Sequence, residues 1–279
     1  MNKKIGFILA LVLVAFFVMG SASAGLFDFL GGDSASNNAT ANDEDTFIVG
    51  FDAEFPPYGY KDDSGNYVGF DLDLAKEVCE RNNWTFKAQP IDWDAKDAEL
   101  DSGSIDCIWN GFTINGRESD YTWSDPYIDN KQVIVVKSGS GIKSLEDLAG
   151  KTVETQKDSS ALAALQGDNK TLADTFATLT EVADYNTAFM DLESGACDAV
   201  AIDIGVAQYQ VNSKENPDDY LILDSPISSE QYGVGFKLGN DALKDTVQKT
   251  LDEMFEDGTV QKIAENYSDA GVPGSLITK

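Results

Sequence analysis

Few residues of this 279-residue chain suit catalysis, because it contains no histidine and only three cysteines. Cys79, Cys107 and Cys197 lie far apart, and none has a C-x-x-C spacing, so neither a thiolate nor an imidazole metal site is predicted. A Cys–His or Ser–His pair cannot form either. Carboxylates, lysines and tyrosines remain, and we predict no catalytic residue, no metal and no cofactor.

Polar residues stand at two places where an α/β sheet can hold a ligand. Asp203 follows the apolar run of residues 199–202, which places it at the carboxyl end of a strand, where open α/β sheets bind ligands. Ser159 and Ser160 open a predicted helix, so their amides and hydroxyls face whatever lies at its positive end. Simple helix capping would select the same residues. The pattern predicts ligand contact at both places and leaves capping open.

The elements that must position these residues alternate between apolar runs and segments of helical period, which predicts an α/β fold. The strand candidates are residues 46–52, 67–70, 105–109, 132–137, 151–155, 198–202 and 233–236, and the helix candidates are residues 71–82, 94–102, 144–150, 158–165, 187–194, 205–211, 241–256 and 259–267. We predict two lobes, each with a mostly parallel sheet flanked by helices, joined by a two-strand hinge. Lobe 1 comprises residues 46–131 and 231–279, and lobe 2 comprises residues 132–230. A cleft between lobes is a preferred place for a ligand.

The first 45 residues have the composition of an export signal followed by a tether. Lys3 and Lys4 precede an apolar run at residues 5–19, and small residues offer a cleavage site after Ala24, which is the layout of a signal peptide over residues 1–24. An uncleaved N-terminal anchor is the alternative. Residues 25–45 are mostly small and polar and predict a disordered tether. We expect an extracytoplasmic protein, in the periplasm or at the cell surface, with membrane tethering left open.

The formal net charge of -28 limits the partners of the chain. So acidic a protein repels phosphate backbones and anionic lipid, which argues against nucleic-acid binding.

An ordered set of short segments resembles family 3 of the extracellular solute-binding proteins, the polar amino-acid binders of ABC importers, which have the type II periplasmic-binding-protein fold. The segments are residues 55–58 (FPPY), 69–75 (GFDLDLA), 105–106 (ID), 111–114 (GFTI), Arg117, 145–153, 159–161 (SSA), 195–200 (GACDAV), Asp203 and 257–267. The set covers essentially all of the chain after Thr46. No single segment is specific, so the order of the segments carries the resemblance.

The resemblance implies a role for each matching residue. Arg117 stands where this family holds the ligand carboxylate, and its planar fork can bind both oxygens; a surface ion pair is the alternative. Asp203 matches the acidic partner of the ligand ammonium, and the N–H groups of Thr113 and Ser160 complete the carboxylate site. The other implied contacts are Gly111, which permits close backbone approach, Ser159, and the aromatic residues Phe55 and Trp93 beside the ligand side chain, for which core packing is the alternative. Asn110 and Gln156 are candidates for recognising that side chain, and Asp52 lies near the rim of the same site.

One spacing departs from the family. Its cleft serine or threonine usually stands five positions before the arginine, whereas Thr113 stands four positions before Arg117. Gly116 can absorb the tighter turn.

We therefore predict the extracytoplasmic substrate-binding component of an ABC transporter, a monomer that captures a free polar amino acid by hinge closure and delivers it to permease subunits. An acidic ligand is disfavoured because no second positive group accompanies Arg117. If Asp52 and Glu54 point inward, a cationic amino acid fits. The alternative is an exported cyclohexadienyl (arogenate or prephenate) dehydratase-like enzyme on the same fold, which needs a placed general acid.

Overall fold

The structure, a computed structural model, describes residues 46–277. The predicted signal peptide (residues 1–24) and tether (residues 25–45) lie outside the described residues. Among residues 46–277, no helix combines the length and apolarity needed to cross a bilayer.

The helices and strands fall into three consecutive sections of the chain. The first section contains β1 (Thr46–Phe51), β2 (Glu54–Phe55), β3 (Gly59–Lys61), β4 (Tyr67–Val68), α1 (Phe70–Asn82), β5 (Thr85–Pro90), α2 (Lys96–Ser102), β6 (Cys107–Ile108) and β7 (Thr122–Trp123). The middle section contains β8 (Ile128–Lys137), β9 (Thr152–Gln156), α3 (Ser160–Gln166), α4 (Lys170–Ala173), β10 (Thr178–Val182), α5 (Tyr185–Ser194), β11 (Ala199–Asp203), α6 (Ile204–Asn212), β12 (Tyr220–Ile222) and β13 (Ser228–Tyr232). The last section contains β14 (Gly235–Phe236), α7 (Asp241–Glu256), α8 (Thr259–Glu265) and α9 (Val272–Ser275).

The first and last sections build one sheet, in the order β5-β1-β6-β14-β7. Strand β1 lies parallel to β5 and β6, and β14 lies antiparallel to β6 and β7. Helices α7 and α8 of the last section pack on α1 of the first. We call these two sections together lobe 1.

The middle section, lobe 2, builds a second sheet in the order β10-β9-β11-β8-β12, with β13 also paired to β8. Strand β9 lies parallel to β10 and β11, whereas β8 lies antiparallel to β11, β12 and β13. The two lobes are therefore α/β as predicted, but the expected mostly parallel pairing does not extend to β14 of lobe 1 or, in lobe 2, to β8. This strand carries the chain out of lobe 1 and β13 carries it back, so the two must run in opposite directions.

The connection between the lobes is the paired beginning of β8 and end of β13. Their register joins Ile128 to Tyr232 and Gln132 to Ser228. A bridge between Thr113 and Tyr232 fastens the returning strand to lobe 1. The two crossings therefore form a two-strand hinge beside the cleft.

Burial follows the sequence pattern where that pattern is strong. Helix α7 buries Val247, Thr250, Leu251 and Met254, the one-face spacing of an amphipathic helix. All five residues of β11 are buried, as in a strand covered on both faces of its sheet. The three cysteines are buried and free, and burial raises the pKa of Cys79 and Cys197 to about 12.

Seven strands were not predicted from the sequence: β2, β3, β5, β7, β10, β12 and β13. Four of them, β2, β3, β7 and β12, have only two or three residues, and the three longer ones lack an apolar run. Strands β5 and β10 lie at sheet edges and are largely exposed or half-buried, so they lack the apolar runs of central strands. Strand β13 has the polar sequence SSEQY and buries only Glu230 and Tyr232 fully. Burial of a glutamate is not visible in a hydrophobic pattern.

Candidate functional site

The predicted site residues surround one small cavity between the lobes. Its lining contains all of them except Asp52: Phe55, Trp93, Asn110, Gly111, Thr113, Arg117, Gln156, Ser159, Ser160 and Asp203. The cavity has a volume of about 20 Å³, which is room for about one water molecule. The structure thus brings these side chains together, and their binding of a ligand stays a prediction.

Asp52 lies directly behind this cavity and joins residues of both lobes. Its backbone N–H donates to Oδ1 of Asn110 at 2.9 Å, and its Oδ2 accepts from Nε2 of Gln156 at 2.6 Å. Asp52 is only 6% exposed, and burial raises its pKa to about 6. It therefore points inward, whereas Glu54 is exposed and contacts Asn186.

The turn after β6 needs glycine at position 111. Gly111 has a φ of 55°, and a Cβ there would lie 2.9 Å from Cε1 of Phe55 and 3.0 Å from Cε2 of Tyr232. Its N–H donates to Oδ2 of the fully buried Asp71 at 2.5 Å. The backbone of Gly111 thus approaches two aromatic rings closely, and its approach to a ligand stays a prediction.

Arg117 reaches the cleft through the tighter turn. Gly116 has a φ of 81°, and the Arg117 N–H donates to the Ile114 carbonyl at 2.9 Å. The guanidinium lies 5.3 Å from the centre of the Phe112 ring and donates to the carbonyls of Thr113 (3.3 Å) and Asp158 (3.1 Å). Among residues 46–277 it forms no salt bridge with any carboxylate within 4.0 Å. Its charge is therefore available to an anion.

The serines serve as cap and as cleft contact. Ser159 is the N-cap of α3, and its Oγ accepts from the Leu162 N–H at 3.1 Å. The Ser160 hydroxyl lies 3.2 Å from Oγ1 of Thr113. Thr113 belongs to lobe 1 and Ser160 to lobe 2, so these hydroxyls meet across the cleft.

Asp203 lies at the end of β11 and is 3% exposed. Its Oδ1 accepts from the Tyr232 hydroxyl at 2.5 Å and from the amides of Asn130 and Gln132, both at 2.7 Å. Its side chain does not cap α6, although Asp203 occupies the N-cap position. Burial, and then the nearby carboxylate of Glu230, raise the pKa of Asp203.

Phe55 and Trp93 line the cavity, and Phe55 belongs to a cluster of aromatic rings from both lobes. Phe55 of lobe 1 lies 5.9 Å between ring centres from Tyr185 of lobe 2, and Tyr58 lies 5.2 Å from Tyr232. The Trp93 indole N–H donates across the cleft to the Asp158 carbonyl at 3.3 Å. In such a cavity the aromatic rings supply apolar contact area and the polar groups supply the specific contacts.

A larger, acidic cavity of about 620 Å³ adjoins the small one at Trp93, which lines both. Its charged lining residues are Asp52, Glu54, Asp92, Asp94, Glu99, Asp184 and Lys157. Six carboxylates against one ammonium give this space a negative potential.

Sequence reasoning missed four residues that contact the cleft side chains: Asn130, Gln132, Glu230 and Tyr232. All four lie on the hinge strands. Asn130 and Gln132 alternate with exposed residues in β8, as Glu230 and Tyr232 do with half-exposed and exposed residues in β13. The period-2 spacing of the polar pairs was the available signal.

Comparisons with known proteins agree with this architecture. The model of the bacterial extracellular solute-binding proteins, family 3, matches residues 47–270. The L-cystine-binding protein TcyJ of Escherichia coli (strain K12) is 30% identical over 234 residues, which cover 81% of this chain and 84% of that protein. A substrate-binding protein of an ABC uptake transporter from Streptococcus pneumoniae, solved with bound histidine, is 33% identical with a TM-score of 0.77, covering 80% of this chain and 92% of its own. An ancestral arginine-binding protein solved with arginine is 39% identical with a TM-score of 0.74, covering 80% and 97%.

Proposed function

Because the chain belongs to family 3 of the bacterial extracellular solute-binding proteins, we propose that it is the substrate-binding component of an ABC importer and captures a free polar amino acid between its lobes. The relatives described above are an L-cystine-binding protein, a histidine-bound protein and an arginine-binding protein. All three relatives are binding proteins. The family to which the chain belongs is described as extracellular. Permease subunits of the transporter are the proposed partners, and the protein acts as a monomer.

One observation carries the proposal: Arg117 and Asp203 line the same enclosed cavity from opposite lobes. A free amino acid carries a carboxylate and an ammonium, and each must be paired when water is expelled. The Arg117 guanidinium has no carboxylate partner among the described residues, and Asp203 has no cationic one. The two charges match the two ends of an amino acid.

The hinge provides the mechanism of capture. The 20 Å³ cavity is smaller than any free amino acid, so a ligand enters when the lobes separate about β8 and β13. A ligand that contacts Arg117 in lobe 1 and Asp203 in lobe 2 makes all its contacts only when the lobes are together. Its binding energy therefore favours closure, as in other hinge-bending binding proteins.

The adjoining acidic cavity bears on which amino acid is bound. The buried carboxylate of Asp52 and five more acids line the 620 Å³ space beside the small cavity. An acidic side chain would be repelled there, whereas a neutral polar or cationic side chain would be accepted. We therefore expect glutamine, histidine or arginine to bind more tightly than glutamate.

A thermal-shift screen tests the function. The protein, unfolded and refolded to remove bound ligand, is heated with each of the twenty amino acids and cystine. An upward shift of several degrees with one or a few polar amino acids supports the proposal, because a ligand that binds only the folded state stabilises it. No shift with any of them would remove the amino-acid assignment.

A dehydratase-like enzyme remains the second candidate, because the raised pKa of Asp203 is a property of general acids. The same protein is incubated with prephenate and arogenate, and their aromatic products are followed by absorbance. Turnover that is lost in Asp203→Asn would replace the binding function with the enzymatic one. Stable concentrations of both acids would exclude this candidate.

A further inference from the structure

Two buried carboxylates meet beside the candidate site and share their hydrogen-bond donors. Asp203 ends β11 of lobe 2, and Glu230 lies on the hinge strand β13; they are 3% and 7% exposed. Nδ2 of Asn130 and Nε2 of Gln132 each donate to both, at 2.7 Å to Oδ1 of Asp203 and at 2.8 Å to Oε1 of Glu230. Because the same two nitrogens reach both oxygens, the carboxylates lie close together.

The Glu230 oxygen also faces the two hydroxyls of the cleft. Oε1 accepts from Oγ1 of Thr113 at 2.8 Å and from Oγ of Ser160 at 3.0 Å. With the two amides, four donors surround one carboxylate oxygen that has two lone pairs. The donors therefore compete, and a stronger donor can replace some of them at little cost.

Every donor to this carboxylate pair is neutral. Among residues 46–277, no lysine or arginine nitrogen lies within 4.0 Å of Asp203 or Glu230. The charge of Glu230 contributes to the raised pKa of Asp203, Tyr58, Tyr185 and Tyr232, all of which are acids. Two like charges in a buried site destabilise each other unless a cation joins them.

The side-chain amides of Asn130 and Gln132, which donate to both carboxylates, also carry oxygen atoms that can accept hydrogen bonds. Oδ1 of Asn130 and Oε1 of Gln132 are buried and accept no hydrogen bond from any of residues 46–277, although these residues are 2% and 0% exposed. Unfilled buried acceptors are costly. The region therefore has an excess of buried acceptors and of negative charge, and the missing complement is a donor with a positive charge.

We propose that Glu230 is a second carboxylate of the ammonium site, so that one ligand ammonium binds between Asp203 and Glu230. An ammonium has three N–H donors, enough for both carboxylates and one further acceptor. The inference rests on the proposed function and names a residue that this function did not include. An ammonium bound there would contact Asp203 in lobe 2 and Glu230 on the hinge. Through Glu230 it would also be linked to Thr113 in lobe 1.

The test compares ligands that differ only in the ammonium. L-Arginine, L-histidine and L-glutamine are titrated calorimetrically into the wild-type protein and into Glu230→Gln, each beside the analogue in which hydrogen replaces the α-ammonium. Glu154→Gln is the matched control, because Glu154 is also a buried strand glutamate of lobe 2, 5% exposed, but it interacts with Asp191 and Cys197 rather than with cleft residues.

For every amino acid that the wild type binds, Glu230→Gln is expected to weaken binding about 10- to 100-fold, the range for a lost charge-assisted hydrogen bond. Binding of the matching analogue without the ammonium should change less than about threefold, because Glu230 has no charge to meet there. Glu154→Gln should bind like the wild type. Equal loss for an amino acid and its analogue would show that Glu230 only supports the cleft, and no loss for either would also overturn the inference.

A second variant covers the case in which Glu230→Gln does not fold. Asp203→Asn retains Glu230, so it should still bind an amino acid about tenfold more tightly than its analogue. This preference corresponds to the one charge-assisted contact that remains, between the ammonium and Glu230. Complete loss of that preference would mean that Asp203 alone holds the ammonium. If the wild type bound none of the amino acids in the thermal-shift screen, the proposed function would be wrong. This inference would then be wrong as well.

Discussion

Lys96 of lobe 1 forms an ion pair with Asp158 of lobe 2 across the mouth of the cleft. The lysine is 1% exposed and its Nζ lies 5.1 Å from the centre of the Trp93 ring. The Asp158 carbonyl also accepts from Trp93 and Arg117. One residue of lobe 2 thus holds three side chains of lobe 1 when the lobes are together.

Asp158→Asn should therefore weaken amino-acid binding by about fivefold, or about 1 kcal/mol, because the closed arrangement loses an ion pair of which one member is buried. Calorimetric titration with the amino acid selected by the thermal-shift screen measures the effect. Asp168→Asn, an exposed site on the same lobe, should leave the affinity unchanged. Equal affinities of Asp158→Asn and wild type would mean that the pair does not favour closure.

Gly205 of α6 lies against Tyr58 of the opposite lobe, and a Cβ at position 205 would stand 2.4 Å from the Tyr58 hydroxyl oxygen. Tyr58 is 1% exposed, and its ring packs against those of Phe55 and Tyr232. Gly205→Ala should block full closure and weaken binding about tenfold or more, as overpacking of a tight contact does. Binding is measured by calorimetry and closure by the radius of gyration in small-angle scattering with ligand added.

The matched control is Gly139→Ala, where an added Cβ meets nothing within 4 Å. Within a helix, alanine is more favourable than glycine, so lobe 2 itself should fold normally in Gly205→Ala. Wild-type affinity together with a ligand-dependent decrease in the radius of gyration would contradict the role of this contact in closure.

Arg117→Ala should lower the affinity for the selected amino acid roughly 100-fold, because the ligand carboxylate loses a charge-assisted, bidentate partner. Arg117→Lys should recover part of the loss, since an ammonium supplies charge without the planar fork. Arg81→Ala is the control: Arg81 binds Glu77 and Asp257 on lobe 1 and does not line the cavity. If the affinity of Arg117→Ala for the amino acid were within threefold of the wild-type affinity, the assignment of Arg117 to the carboxylate site would be wrong.

The buried Asp71 makes stability depend on pH. Burial raises its pKa from 3.8 to about 7, so between these values the folded protein keeps a proton that the unfolded chain has lost. The free energy of unfolding therefore falls as pH rises through this window, and the contribution is fully lost above pH 7. Asp52, with a pKa of about 6, acts in the same direction.

Asp71→Asn should remove this dependence. Relative to wild type, the variant should gain up to about 3 kcal/mol of unfolding free energy between pH 5 and pH 8, because one pKa unit corresponds to about 1.4 kcal/mol. Urea unfolding followed by tryptophan fluorescence at several pH values measures the difference, with Asp168→Asn as the control. Parallel pH profiles for wild type and Asp71→Asn would show that Asp71 is ionised throughout.

Local patterns in the sequence were sufficient for the elements with strong periodicity. The bounds predicted for α7, residues 241–256, are those of the structure, because its apolar face repeats with the helical period. Strand β11 was visible because it is apolar throughout and ends in Asp203. The edge strands β5 and β10 were not visible, since a strand exposed to water needs no apolar run.

The sequence by itself determined which segments form two α/β lobes and which polar residues, among them Arg117, Thr113, Ser160 and Asp203, meet at strand and helix ends. Only the tertiary structure decided that Glu230 joins them, because its contacts to Thr113 and Ser160 span 117 and 70 positions of the chain. The ion pair of Lys96 with Asp158 likewise spans 62 positions. Local propensity acts over a few residues, whereas contacts across a cleft depend on how two separately folded lobes are joined by the hinge.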